Sequence, residues 1–339
     1  MSRHLTVHRI GPGATVQDQG RPGYLANGLS RGGAVDALAL YEGAALLGQD
    51  PTAAVLEMPG TGGTFEASED MRVALTGAPM RASIDDTPLV WNASHLLPKG
   101  ARLMIGAAEI GNYGYLHLGG GLQPDMRLGA RSAHLAGGIG GVVQPGTQIP
   151  VGSDAARHQV GNCINVTPRF GGGMLRIVPC AQTALFDQAQ IARFLSAEFR
   201  RDMRGNRMGV RLLCDGKGYH SDAGLSVLSE VIVPGDIQVT GDGTPFVLLS
   251  ECQTTGGYPR IGAVLPADLP IVAQARPGAV FRFCMLSLAE AVDVERQDRA
   301  RRLGLASKMR PLIRNPHDIP DLLSFQLISG ATTGSDLDG

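Results

Sequence analysis

IQVTGDGTPF (residues 237–246) lies without gaps on LEMPGTGGTF (residues 56–65), and this match decides the fold. Gln238 falls on Glu57, Gly241 on Gly60, Gly243 on Gly62 and Phe246 on Phe65. A strand-like run follows each copy and leads to TGAP (76–79) in the first and TGGYP (255–259) in the second. Further on, PKGARLMIG (98–106) parallels RPGAVFRFC (276–284). One such match is within reach of chance; three in register mark a duplicated β unit. The boundary is expected near VTPRFGGGM (166–174), where glycines cluster before the strand-like LRIVPC. The expected units are therefore residues 1–165 and 174–300, with 301–339 as a C-terminal tail packing back on the body.

Outward from the repeat, the chain reads as mainly β. Runs such as LTVHRI, AVLEM, GTFEA, RVALTG, GYLHLG, EVIVPG and PFVLLS are short and bounded by Gly, Pro, Asp or Asn. Glycine and proline make up a fifth of the 339 residues while 43% are apolar, a balance that excludes disorder and calls for many tight turns. Helical periodicity is confined to a few short segments: 33–50, with Gly48 as its C-cap, 182–199 and 287–304. Thirty basic and 31 acidic residues leave a net charge of −1, with no footprint for nucleic acid or an anionic membrane. No apolar run approaches membrane-spanning length and no signal-peptide core is present, so a cytoplasmic location is expected. Five dispersed cysteines without a CxxC are expected to be reduced thiols, and no histidine spacing suggests a metal site.

Standard catalytic signatures fail. There is no GxxxxGK[ST], no GxGxxG between strand and helix, and no HExxH. GLSRG (28–32) fits GxSxG, but RPGYLAN before it is a poor core strand, so Ser30 lacks the setting of a nucleophile elbow. The chemistry-bearing stretches are loops instead. TVQDQGRPGY (15–24) gathers Gln17, Asp18 and Arg21 on a glycine-bent turn; RLGARSAHLAGGIGG (127–141) adds Arg131 and Ser132 beside glycine-rich backbone. GNRMGVRL (205–212) brings Arg207 and Arg211, and SECQTTGGYPRIG (250–262) brings Gln253, Thr254, Thr255 and Tyr258. Amide, guanidinium and backbone N–H donors on a β scaffold suit a small polar substrate whose oxygen gains negative charge. The arginine-rich RQDRARRLG (296–304) reads as a solvated helix face.

These stretches, with GGAVDALALYEGAALLGQDPTAAVLE, GGGLQPDMRLGARSAHLAGGIGG, SEVIVPGDIQVTGDGTPFVLLSECQTTGGYPRIGAVLPADLPIVAQARPG and LLSFQLISG, resemble the KipA-type family. That family takes in the C subunits of bacterial 5-oxoprolinase and allophanate-hydrolase-subunit-2-like proteins, and its module recurs in biotin-dependent urea carboxylase. The resemblance runs from about residue 7 to the C-terminal LISG. It implies two cyclophilin-like β-barrel domains, in keeping with the duplication. It also implies two partner chains, the A component and the KipI-type B component of 5-oxoprolinase. The complex they form uses ATP to open the lactam of 5-oxo-L-proline to L-glutamate. An alternative is the carboxyltransferase component of a biotin-dependent urea or related amide carboxylase, with biotin on another chain. A third is a binding protein that antagonises a KipI-type kinase inhibitor.

On the leading alternative the expected catalytic residues are Gln17, Asp18, Arg21, Arg131 and Gln253, with Ser132, Arg207, Arg211, Thr254, Thr255 and Tyr258 binding a small amide substrate. Arginines are expected to clamp the substrate carboxylate, and Gln253 with nearby amides to polarise the lactam oxygen. Two departures stand out: Ala130 and Ala133 occupy positions where the family pattern carries hydroxyls, and Gln326 replaces an asparagine.

Overall fold

Strand-forming alternation is clearest in His4–Ile10, where Leu5 and Val7 point inward and their neighbours outward. In the computed structural model, which describes residues 3–156, 159–221 and 228–313, this strand belongs to a six-stranded sheet. Its order is Gln148–Pro150, His4–Ile10, Gly63–Ala67, Arg102–Ala108, Met80–Ile84 and Thr87–Pro88. A seven-stranded sheet runs Thr15–Gln17, Val55–Pro59, Tyr113–Leu118, Met71–Gly77, Ala93–Leu97, Asn162–Cys163 and Arg310–Pro311. Met71–Gly77 and Tyr113–Leu118 are buried along their whole length, as central strands covered on both faces must be. Leu5, Val7, Phe65, Val73, Leu75, Leu103 and Leu116 form one core cluster from strands of both sheets.

Beyond residue 171 the strands close into a barrel: Gly172–Val178, Arg260–Val264, Asp236–Val239, Pro245–Leu248, Gly209–Leu213, Phe199–Asn206 and Val280–Met285. The first and last pair in parallel, with Leu175 opposite Phe283, and so seal it. Helix α2 (Gln188–Ser196) packs Phe194 against Phe199, Phe283 and Tyr219. The barrel core does not end at the barrel. Val35, Ala39, Leu40, Tyr113 and Tyr115 from the first half belong to the same cluster as Leu175, Phe199, Ile237 and Phe281. Helix α1 (Ala37–Leu47), capped by Asp36 and ended by a left-handed Gly48, is the element buried at this junction.

The expected mainly β class is what the molecule has. The repeated segments are the strand pairs Val55–Pro59/Gly63–Ala67 and Asp236–Val239/Pro245–Leu248, but they are used differently. The second pair forms a hairpin inside the barrel; the first pair crosses from one sheet to the other. Strands of the two sheets come from residues 4–163 and 310–311, and those of the barrel from 172–285. GNRMGVRL, expected as a loop, is a hairpin between Phe199–Asn206 and Gly209–Leu213. The helix expected over 182–199 is shorter, because Asp187 accepts the Gln190 N–H at 2.7 Å and starts it late. Helix α3 (Leu269–Gln274), with Pro270 in its first turn, is an addition to the expected elements. Helix α4 (Leu288–Leu303) starts at a capping box between Ser287 and Glu290. LLSFQLISG and Gln326, and most of the expected tail, lie outside the described residues.

Candidate active site

Two glycine-bent segments meet where the first half touches the barrel. A β-carbon on Gly20 would sit 2.5 Å from the Arg31 carbonyl oxygen, and one on Gly33 would sit 2.7 Å from the Gly20 nitrogen. Both glycines have positive φ, so only glycine permits this approach. The Arg21 N–H then donates to Arg31 O (2.8 Å), Ala34 N–H to Asp18 O (2.9 Å) and Gly32 N–H to Ser250 O (3.0 Å). Residues 131–134 are drawn in by Asp18, whose carboxylate accepts the N–H groups of Gly20 (2.8 Å), Arg131 (2.7 Å) and Ser132 (3.3 Å). Asp18 is thus an organiser of backbone rather than a free acid or base.

Arg21 is the outlier of this cluster. Its side chain is 1% exposed, and one guanidinium nitrogen, Nη2, donates to the Ser132 carbonyl. Its Nε and Nη1 are buried and have no partner among the described residues. Burial pushes its pKa down from the ordinary value, although Asp18, Glu251 and Tyr24 favour the charged form. A buried cation with two idle donors is costly to keep, by about 1–3 kcal/mol for an unsatisfied group, unless an acceptor comes to meet it. The oxygens Ser132 Oγ, Ser250 Oγ and Gln17 Oε1 are likewise buried without a partner among the described residues.

Beside Arg21, Ser30 Oγ lies 2.9 Å from His134 Nε2. His134 Nδ1 accepts the Gly137 N–H at 3.0 Å, which puts the imidazole proton on Nε2 and makes the histidine the donor to Ser30. Ser30 therefore keeps its own hydroxyl proton to offer elsewhere, and His134 is not oriented as its base. Burial lowers the His134 pKa, keeping the ring neutral. Asp18, Arg21, Ser30, Gly32 and Ser250 line a cavity of about 510 Å³ whose remaining wall is largely apolar, including Leu25, Leu40 and Leu269. Polar donors converging on an apolar pocket of this size are the usual form of a small-molecule site. A second cavity of about 290 Å³ is lined by Arg131, Ser132, Ala130 and Ala133.

Five of the expected residues, Gln17, Asp18, Arg21, Arg131 and Ser132, are brought together here. Gln17 is fully buried and donates to Thr15 Oγ1 (2.9 Å) and Ala133 O (3.2 Å). Arg207 lies beneath the site with each guanidinium nitrogen engaged: Nε on Glu251 (2.6 Å), Nη1 on Glu57 and Nη2 on Gly33 O (2.7 Å). It is an internal bridge between the halves with no guanidinium nitrogen left without a partner. Arg211 sits on a barrel strand, paired with Asp202 (2.8 Å), and lines neither cavity. Gln253, Thr254, Thr255 and Tyr258 also lie outside both cavities. Thr255–Gly256 pairs with Glu230–Val231 in a two-stranded ribbon, and Gln253 and Tyr258 are exposed. From that stretch the site takes Ser250 and Glu251 instead. The Ser30–His134 pair escapes a reading of motifs because 104 residues separate its members and only the fold joins them. No group of three metal-ligating side chains occurs among the described residues, and none of their helices is long and apolar enough to cross a membrane.

The family model described as carboxyltransferase domain, subdomain A and B, matches residues 27–285. The chain is 33% identical to the 5-oxoprolinase C subunit of Haemophilus influenzae over 289 residues, covering 84% of this chain and 92% of that relative. It is 34% identical to the 5-oxoprolinase C subunit of Escherichia coli over 302 residues, covering 88% and 96%. Among solved structures, the urea amidolyase of K. lactis superposes with a TM-score of 0.81 at 21% identity, a likeness of fold. That match takes in 92% of this chain and only 21% of the amidolyase.

Proposed function

We propose that this chain, which belongs to the carboxyltransferase-domain family shared with 5-oxoprolinase C subunits, is the component of an ATP-dependent 5-oxoprolinase that polarises the lactam. The observation behind the proposal is Arg21: a buried guanidinium with idle Nε and Nη1 donors, on a cavity that also receives the Ser30 hydroxyl. A lactam oxygen that displaced the wall covering Arg21 Nε and Nη1 would accept from them and from Ser30. As the oxygen gains negative charge these donors hold it more strongly than in the ground state, which is the condition for catalysis rather than mere binding. Asp18 fixes the 131–132 backbone around Arg21, and His134 fixes Ser30. ATP, used by the complex, supplies the phosphoryl group that opens the carbonyl carbon to water. In the net reaction ADP leaves when the phosphoryl group is transferred, one water adds at the carbonyl carbon, the ring C–N bond breaks with a proton passing to the nitrogen to give the amine, and a second water releases phosphate to leave L-glutamate. The A and B partner chains complete the assembly. Gln253 is not given the role of polarising the lactam oxygen, which passes to Arg21 and Ser30.

The carboxyltransferase match supports a second reading, because the same donors would suit a urea oxygen during carboxyl transfer from carboxybiotin on another chain. Reconstitution separates the two. The chain co-expressed with its A and B partners is expected to release glutamate from 5-oxo-L-proline and ATP. Turnover no greater than that of the partners alone would sink the proposal, and carboxylation of urea would replace it with the second reading.

A further inference from the structure

The arginine-rich end of α4 is not merely a solvated face, because one of its arginines turns inward. Arg302 lines the same cavity as Arg21 and Ser30, although it comes from a different element. Its side chain is 18% exposed and lies 5.6 Å over the ring of Tyr41, another lining residue. Its Nη2 meets Asp298, and its Nε is buried without a partner among the described residues. Asp298 is shared with Arg301, so one carboxylate serves two guanidinium groups. Leu25, Ala37, Leu40 and Pro270 contribute apolar wall to the same cavity.

We infer that Arg302 anchors the carboxylate of the substrate, so that the cavity selects cyclic amides that bear an acid group. The inference rests on the proposed function: with the lactam oxygen on Arg21 and Ser30, the other polar group of 5-oxo-L-proline needs a cation of its own. Around Arg21, the neighbouring Asp18 and Glu251 carboxylates make a second full anion unwelcome. Arg302 offers a second guanidinium on the same cavity, with its Nε free of a partner among the described residues, and guanidinium is the side chain best matched to a carboxylate. Urea, with no carboxylate, would gain nothing from it.

The isolated chain, as wild type, Arg302→Gln and Arg302→Lys, is titrated with 5-oxo-L-proline and with 2-pyrrolidinone, the same ring without the acid. Arg302→Gln is expected to weaken 5-oxo-L-proline about tenfold or more, with Arg302→Lys recovering part, while 2-pyrrolidinone binds all three alike. In the reconstituted complex KM for 5-oxo-L-proline should rise, with kcat changed by no more than about threefold. A purely structural Arg302 would instead lower Tm and weaken both ligands equally. That result, an unchanged affinity for 5-oxo-L-proline, or a wild type that binds the two rings alike, overturns the inference. If the complex turns over normally but its KM ignores Arg302→Gln, the inference fails and the proposed function stands. If Arg302 governs acid-bearing ligands in a complex without turnover, the function falls and the anchor remains.

Discussion

Arg21 is buried with two guanidinium nitrogens lacking a protein partner among the described residues, and this makes its substitution informative in two directions. Arg21→Met removes a desolvated cation with two idle donors, so thermal denaturation of the free chain should show a Tm no lower than wild type. In the reconstituted complex the same change should cut kcat by about 100-fold or more, the usual worth of an oxyanion-type donor. Gln253→Ala, exposed and outside both cavities, should leave kcat within about twofold when assayed alongside. Two buried histidines contribute to the acid limb of stability. Burial holds the His117 pKa down at about 3 and also lowers that of His134, against about 6.5 in the unfolded chain. The unfolded state therefore takes up protons first. The stabilisation is complete above about pH 6.5 and is lost as pH falls, for His117 down to about 3, with a slope of up to about 1.4 kcal/mol per pH unit for each group. Urea melts between about pH 7 and 4 should show this slope, and His117→Gln should flatten it. At this scale sequence named Asp18, Arg21, Arg131 and Ser132 because charged and polar side chains beside glycines draw the eye. It does not separate Arg207 from Arg21, since nothing in a motif tells an arginine with idle nitrogens from one whose nitrogens are all engaged.

Helix α1 shows how an element can be legible while its docking is not. The apolar run and the Gly48 stop are readable at once. Why position 43 is glycine is not: a β-carbon there would lie 2.2 Å from the His117 ring, which reaches the helix from strand Tyr113–Leu118. In an exposed helix Gly→Ala stabilises by about 0.5–1 kcal/mol. Here Gly43→Ala should destabilise by about 1–3 kcal/mol through overpacking, as measured by denaturant unfolding. His117 is fixed by its 2.7 Å hydrogen bond to Thr76, whose hydroxyl donates on to Ala39 O of α1, so the helix and two strands would be disturbed together. The hairpin around Arg207 is hard to read for a related reason. Arg200, Arg201, Arg204 and Arg211 crowd strands whose apolar faces are only a few residues long, and charge hides the alternation.

Across the whole molecule, the two halves are joined by buried polar groups as well as by a shared apolar core. Arg169, between the halves in sequence, donates to Asp36 (2.7 Å) and with both Nη groups to Glu42 (2.8 and 2.7 Å). Gln274 of α3 donates to Asp36 (2.8 Å) and to Tyr113 O (2.8 Å). Arg169→Met would leave two buried carboxylates without their cation, at a cost of about 3–5 kcal/mol, and should lower Tm by roughly 5 °C. The repeat made the β architecture legible because turn glycines and inward apolar residues recur in order. It did not foretell the junction, since Asp36 and Gln274, 238 positions apart, meet there through packing that no periodicity encodes. The junction is where the cavity lies, and the central claim is that Arg21 on its wall polarises the substrate. The most direct test is kcat for glutamate release from 5-oxo-L-proline and ATP by the reconstituted complex bearing Arg21→Met. A fall of about 100-fold or more in a complex that assembles normally is the predicted result. Turnover equal to wild type would contradict it.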